Sequence, residues 1–364
     1  MRKASNVNQA ARADVTLGSR PQRVWFLHAL QSSTVACIDI RDSTFLPKTS
    51  LLSHSRAGEM PQVARFAWTT LYWNVAVVLL GAYVRATGSG AGCGNRWPLC
   101  DGHLVGASNG QTIVEFTHRI TSVISLLMVA GLVIWCWRVT KKGDWARYSV
   151  VLAAALLANE ALLGAALVLL KHVGNDQSAG RVLFLCLHFG NTLLLLATLS
   201  LTANWLSNGS RSFTLIGNWR HVSSIGLGLV ATMMTGITGA VTALGDTLFP
   251  STSLASSLAQ DFRSGTPALL RVRLLHPAVA TIAACYVLWV IWRSSTGRNR
   301  FSRSAIALII LLFVQVGIGM TNVLLLAPVW VQITHLFVAD ALWILLVLVS
   351  AGLVLQAVKE GRTT

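Results

Sequence analysis

Val182-Leu-Phe-Leu-Cys-Leu-His-Phe-Gly-Asn-Thr-Leu-Leu-Leu-Leu-Ala-Thr-Leu-Ser-Leu-Thr-Ala-Asn-Trp-Leu206 decides the class of fold. The stretch contains no Asp, Glu, Lys or Arg and exceeds the roughly 20 residues that cross a bilayer as helix. Seven further runs of the same kind lie approximately at Phe66 to Val84, Ile113 to Trp137, Tyr148 to Leu170, Val222 to Leu244, Leu274 to Trp292, Ala305 to Leu326 and Ile333 to Gln356. With 54% hydrophobic and only 12% charged residues, where soluble domains carry about 25% charged residues, the chain reads as an all-α polytopic membrane bundle of eight transmembrane helices. The net charge of +16 does not call for a nucleic-acid partner, because Lys and Arg fall in short loops and near the start rather than on one face.

Those loops set an orientation. Arg138, Lys141, Lys142 and Arg147 follow the second span, Arg211 and Arg220 the fourth, and Arg293, Arg298, Arg300 and Arg303 the sixth. The opposite loops are mixed or neutral, so the positive-inside rule puts both termini in the cytoplasm. The chain then divides into a basic N-terminal segment 1–65, a four-helix half 66–206, a cytoplasmic linker 207–221, a second half 222–358 and a tail 359–364. The N-terminal segment has no long apolar core and reads as a disordered arm or as sequence ahead of a start at Met60; no function is assigned to His28, Cys37 or His54 within it.

The halves read as a parallel internal repeat. Glu160-Ala-Leu-Leu-Gly164-Ala-Ala-Leu-Val-Leu-Leu170 parallels Gln315-Val-Gly-Ile-Gly319-Met-Thr-Asn-Val-Leu-Leu325. An even number of spans per half gives both copies the same orientation. Four of the nine histidines, His118, His188, His276 and His335, fall a few residues inside the outer ends of the even-numbered spans. A single one would read as an interhelical hydrogen bonder; four at repeat-related depths point to a site. The repeat pairs His118 with His188 and His276 with His335.

Two imidazoles per half fall short of the four ligands of a typical zinc site, but suit the two axial positions of a haem iron. Small residues such as Gly81-Ala82, Gly164-Ala165-Ala166 and Gly236-Ile-Thr-Gly239-Ala240 leave room for a flat ring between helices. His103, His172 and His221 read as solvated loop side chains. Cys136, Cys186 and Cys285 read as small buried residues.

The outer stretch Gly81-Ala-Tyr-Val-Arg-Ala-Thr-Gly-Ser-Gly-Ala-Gly-Cys-Gly-Asn-Arg-Trp-Pro-Leu-Cys-Asp-Gly102, with Glu115-Phe-Thr-His-Arg119, strongly resembles haem A synthases of the cysteine-containing bacterial type. The resemblance continues through Asn159 to Leu170, Leu187 to Ala197, Gly239 to Pro250 and Leu275-His-Pro277. It implies an oxidoreductase of the bacterial cytoplasmic (inner) membrane that converts a ring methyl of haem O to the formyl of haem A for terminal oxidases. It also implies a haem b cofactor on His276 and His335, with the substrate haem on His118 and His188. Haem O synthase, an oxidase assembly factor and a thiol-disulfide partner for Cys93 and Cys100 are the partners expected. Some relatives carry a second cysteine pair between the fifth and sixth spans; Leu244 to Arg273 has none, which excludes a mechanism needing two outer disulfides.

Cys93 and Cys100 lie in an outward loop where an oxidising compartment favours a disulfide, serving as a staple or as a thiol relay. Glu115 lies one helical turn before His118. It either orients that imidazole through its other nitrogen or moves protons during methyl oxidation, and the resemblance supports the second. Glu160 reads as a polar interhelical contact. Arg85, Arg119 and Arg273, with Arg96, Arg181 and Arg271, stand near outer helix ends where they are candidates for haem propionates. The competing expectations are a di-haem membrane cytochrome that leaves haem unmodified, and a haem transporter or chaperone.

Overall fold

The computed structural model describes residues 49–94, 96–100, 109–209, 219–263, 268–295 and 302–360. Regular structure among them is helical: α1 Thr49–Ala86, α2 Gly110–Val139, α3 Trp145–Leu169, α4 Ala179–Asn208, α5 Trp219–Leu248, α6 Leu254–Phe262, α7 Ala268–Ser295, α8 Arg303–Leu324 and α9 Val329–Glu360. Eight of these are long and apolar enough to cross a membrane. The first membrane-length segment begins at Glu59 rather than Phe66, and its helix at Thr49, so residues 49–65 belong to α1 and not to an unstructured arm. His28, Cys37, His103, most of the 207–221 linker and the end of the tail lie outside the described residues, as do the side chains of residues 49–58.

Polar side chains define where the spans start. Asn109 accepts from the Thr112 amide, Asp144 from Ala146, Ser178 from Arg181 and Ser302 from Ala305, each satisfying an amide that the first helical turn leaves open. The short α6 was not anticipated. It is opened by a reciprocal capping box between Ser253 and Ser256.

The main core joins both halves, with Leu71, Leu132, Val150, Leu196 and Leu199 packed in one cluster with Val287, Leu308, Trp343 and Leu346. Large outward side chains such as Leu127, Ile282 and Phe313 are exposed, as expected of helices that are apolar all round. Hydrophobic burial discriminates little between helix partners in lipid, so small and polar contacts carry specificity. Ser125 donates to Asn74 Oδ1 at 2.6 Å, Ser149 to the Thr198 carbonyl at 2.9 Å, and the Trp343 indole to the Leu193 carbonyl at 2.7 Å. The last of these ties α9 to α4. At the C-terminal end of α1, Arg85 donates to the Ala243 carbonyl (2.7 Å), Thr247 Oγ1 (2.8 Å) and Gln332 Oε1 (2.9 Å), joining α1 to α5 and α9.

Candidate functional site

Each of the four span histidines lies against a glycine of the preceding span. A Cβ on Gly81 would come 2.9 Å from Cε1 of His118, on Gly164 3.6 Å from that of His188, on Gly239 2.9 Å from that of His276 and on Gly319 3.1 Å from that of His335. A side chain at the three tighter positions would press on the ring, so Gly81, Gly239 and Gly319 fix where their imidazoles sit, whereas a Cβ on Gly164 would make ordinary contact with His188.

The ring nitrogens are sparsely partnered. Nδ1 of His118 and of His335 is buried without a hydrogen bond. Nδ1 of His188 is 3.3 Å from Glu160 Oε1, an ion-pair distance, though out of line for a hydrogen bond. His276 Nδ1 meets Thr238 Oγ1 at 3.2 Å, and His335 Nε2 meets the Gln315 amide nitrogen at 3.3 Å. Histidines on separate helices, orphaned ring nitrogens and, at three of the four rings, glycines whose Cβ would crowd the imidazole fit what two axial haem ligands require. The donor set fits haem at both pairs.

Glu115 is 3% exposed. Its Oε2 accepts from the backbone N–H of Cys93 at 2.8 Å, and its Oε1 accepts from Arg119 at 2.5 Å. Nδ1 of His118 makes no hydrogen bond with Glu115, so the expected alternative role of orienting that imidazole finds no hydrogen bond to carry it at that nitrogen. Cys93 and Cys100 form a disulfide. Arg119 continues across that loop, donating to the carbonyls of Arg96 (2.9 Å), Pro98 (3.2 Å) and Leu99 (3.0 Å). Gly92 permits the close docking: a Cβ there would lie 2.6 Å from the Gln111 backbone. Thr112 Oγ1 donates to the Gly92 carbonyl at 2.7 Å. The carboxylate, the disulfide loop and the first turns of α2 are thus one hydrogen-bonded unit.

Arg273 is taken up by carboxylates, Asp261 of α6 at 2.5 Å and Asp246 of α5 at 3.1 Å. Arg181 donates to the carbonyls of Gly174 and Asp176. Two other readings need correction. His172 is not a solvated side chain; it bonds Asp176 at 2.8 Å and packs under Gly180, because the α3–α4 turn folds back on itself. His221 belongs to α5 and is half-buried rather than free in a loop. Of the three cysteines read as buried, Cys136 is so, Cys186 is intermediate and Cys285 faces outward.

The sequence reading did not single out Asp340, a fully buried α9 carboxylate with neither oxygen hydrogen-bonded. A lone acid within an apolar span was the signal that could have found it.

Two pairs of span histidines within a bundle of eight membrane-length helices define a polytopic membrane protein whose donor set suits haem. Comparison with known families matches residues 64–347 to the COX15-CtaA family, cytochrome oxidase assembly protein. The chain belongs to that family, the family of the haem A synthases. It is 41% identical over 302 residues to a protoheme IX farnesyltransferase of Thermus thermophilus, a match that takes in 82% of this chain and 50% of the relative. It is 28% identical over 283 residues to a heme A synthase of Exiguobacterium, covering 76% of this chain and 88% of that protein. A Bacillus licheniformis heme A synthase is 36% identical over 125 residues, 34% of this chain and 39% of the relative. The chain spans about half the length of the farnesyltransferase relative.

Proposed function

We propose that the chain is a haem A synthase of the bacterial cytoplasmic membrane, with both termini inside, oxidising a ring methyl of haem O to a formyl group. The observation that carries this reading is the difference between two otherwise similar histidine pairs. Counting back one turn from the α2 and α7 histidines gives Glu115 in the first half and Arg273 in the second; on α3 and α8 the corresponding residues are Glu160 and Gln315. The first half therefore presents two carboxylates near its imidazoles. The second presents an amide and an arginine already neutralised by Asp246 and Asp261.

With water as the oxygen source, turning a methyl into a formyl releases four protons and four electrons, so a reactive site needs a group that can take protons and passes the electrons to an external acceptor; a resident electron-carrying haem needs no proton acceptor. We assign the substrate haem O to His118 and His188, haem b to His276 and His335, and the proton-accepting role to Glu115. Haem b supplies electron-transfer capacity. The chain's own residues fix both rings, and hold the carboxylate at the outer end of the first pair. Among the expected propionate partners, Arg119 and Arg273 are paired with carboxylates, whereas Arg85 and Arg181 hydrogen-bond only neutral acceptors. We assign these two to propionates.

The relative named for farnesylating protohaem supports a place directly after the enzyme that builds the farnesyl-bearing haem, and that haem O synthase is the partner we propose. The test is to express the chain in cells that make haem O and lack haem A, then extract and separate the haems. New haem A supports the synthase; bound but unmodified haem O would make the chain a carrier or transporter.

A further inference from the structure

Glu160 lies inside a membrane-length helix, where an ionisable group is costly unless it serves a site. Its three partners share one turn and the next residue of α4. Oε2 accepts from Asn191 Nδ2 at 2.5 Å, Oε1 accepts from Thr192 Oγ1, and Nδ1 of His188 stands 3.3 Å from Oε1. The two donors hold the carboxylate so that its charge faces the ring. Gly164, one turn further along α3, lies against the same ring. In the second half Gln315 reaches His335 at the same 3.3 Å, and Gly319 provides the cradle. The two halves place a polar residue of the preceding span against the ring, but it is a carboxylate at Nδ1 of His188 in the first half and an amide at Nε2 of His335 in the second.

A metal-bound imidazole whose other nitrogen faces a carboxylate is the more basic ligand, and a buried negative charge near the iron favours its ferric form. We propose that Glu160 is a positioning residue of the first-half haem site, acting through Nδ1 of His188 to stabilise ferric over ferrous iron there and to set that haem at a lower reduction potential than the haem on His276 and His335. This rests on the assignment of haem to both pairs.

The test uses the full-length protein, purified in detergent and loaded with haem b at both pairs, titrated spectroelectrochemically. Glu160→Gln can accept from Asn191 through its oxygen and donate to Thr192 Oγ1 through its amide, so helix pairing is kept while the charge is lost. Its first-half midpoint should rise by about 59 mV, a tenfold change in the ferric-to-ferrous equilibrium, with the second midpoint unmoved. The reciprocal Gln315→Glu should lower the second midpoint and leave the first, and it decides the matter if Glu160→Gln fails to hold its haem. Two haems bound with unchanged midpoints in both variants overturns the inference alone. Failure of the unsubstituted protein to hold haem at His118 and His188 overturns the haem assignment itself, and this inference with it.

Discussion

The carboxylate of Glu115 accepts a hydrogen bond from the backbone N–H of Cys93, 2.8 Å away, so a disulfide half-cystine and a buried membrane carboxylate touch directly. Breaking the Cys93–Cys100 bond frees the loop whose carbonyls Arg119 holds. The double variant Cys93→Ser, Cys100→Ser should therefore lower haem A formation while the haem b spectrum of the purified protein persists. Haem extraction and an absorbance spectrum on the same preparation check both halves of that statement. Undiminished haem A would separate the loop from the chemistry.

Arg119 is the other anchor of Glu115. Lysine keeps the charge but not the planar fork that reaches the carboxylate and several carbonyls at once. Arg119→Lys should cut haem A formation by about ten- to a hundredfold, the cost of a misplaced reacting group, with haem b retained. Product separation at matched protein levels measures it.

The glycine cradles give a steric prediction. Gly239→Ala places a Cβ 2.9 Å from Cε1 of His276, and displacing that ligand should weaken haem b binding by about tenfold. Gly317→Ala on α8 meets nothing within 4 Å and should leave haem b content unchanged. Haem-to-protein ratios after purification compare the two.

Orientation follows from Arg138, Lys141, Lys142 and Arg147 against the mixed α3–α4 turn around Lys171 and Asp176. Reporter fusions after Lys142 should be active on the cytoplasmic side and those after Gly174 on the outer side. The reverse pattern would invert the topology.

The eight spans and four histidines were legible in the sequence because both signals are local: a charge-free run is long enough or it is not, and an imidazole within it stands alone. The first boundary was less so, since apolar content falls before Phe66 while helix continues back to Thr49. What tertiary approach creates was hidden. That Arg119 reaches the loop carbonyls, that Glu160 faces His188 as well as Asn191 and Thr192, and that Asp261 of α6 meets Arg273 all depend on how segments distant in sequence meet. His172 misled because a histidine between two spans is usually solvated, whereas this turn folds over it.

Division of labour between the halves has its own test. His276→Ala or His335→Ala should strip the haem b signal, and His118→Ala should largely spare it. Equal loss from all three would remove the distinction.

The central claim is that Glu115 takes part in oxidising the haem held by the first pair. Glutamine keeps its size and an acceptor oxygen but cannot take up a proton, so Glu115→Gln should still bind haem and should lose haem A formation by about a hundredfold or more. The decisive measurement is separation of extracted haems from cells making haem O, with unsubstituted and Glu115→Gln protein at equal levels. The account predicts haem A with the first and haem O nearly alone with the second. Near-normal haem A from Glu115→Gln would contradict it.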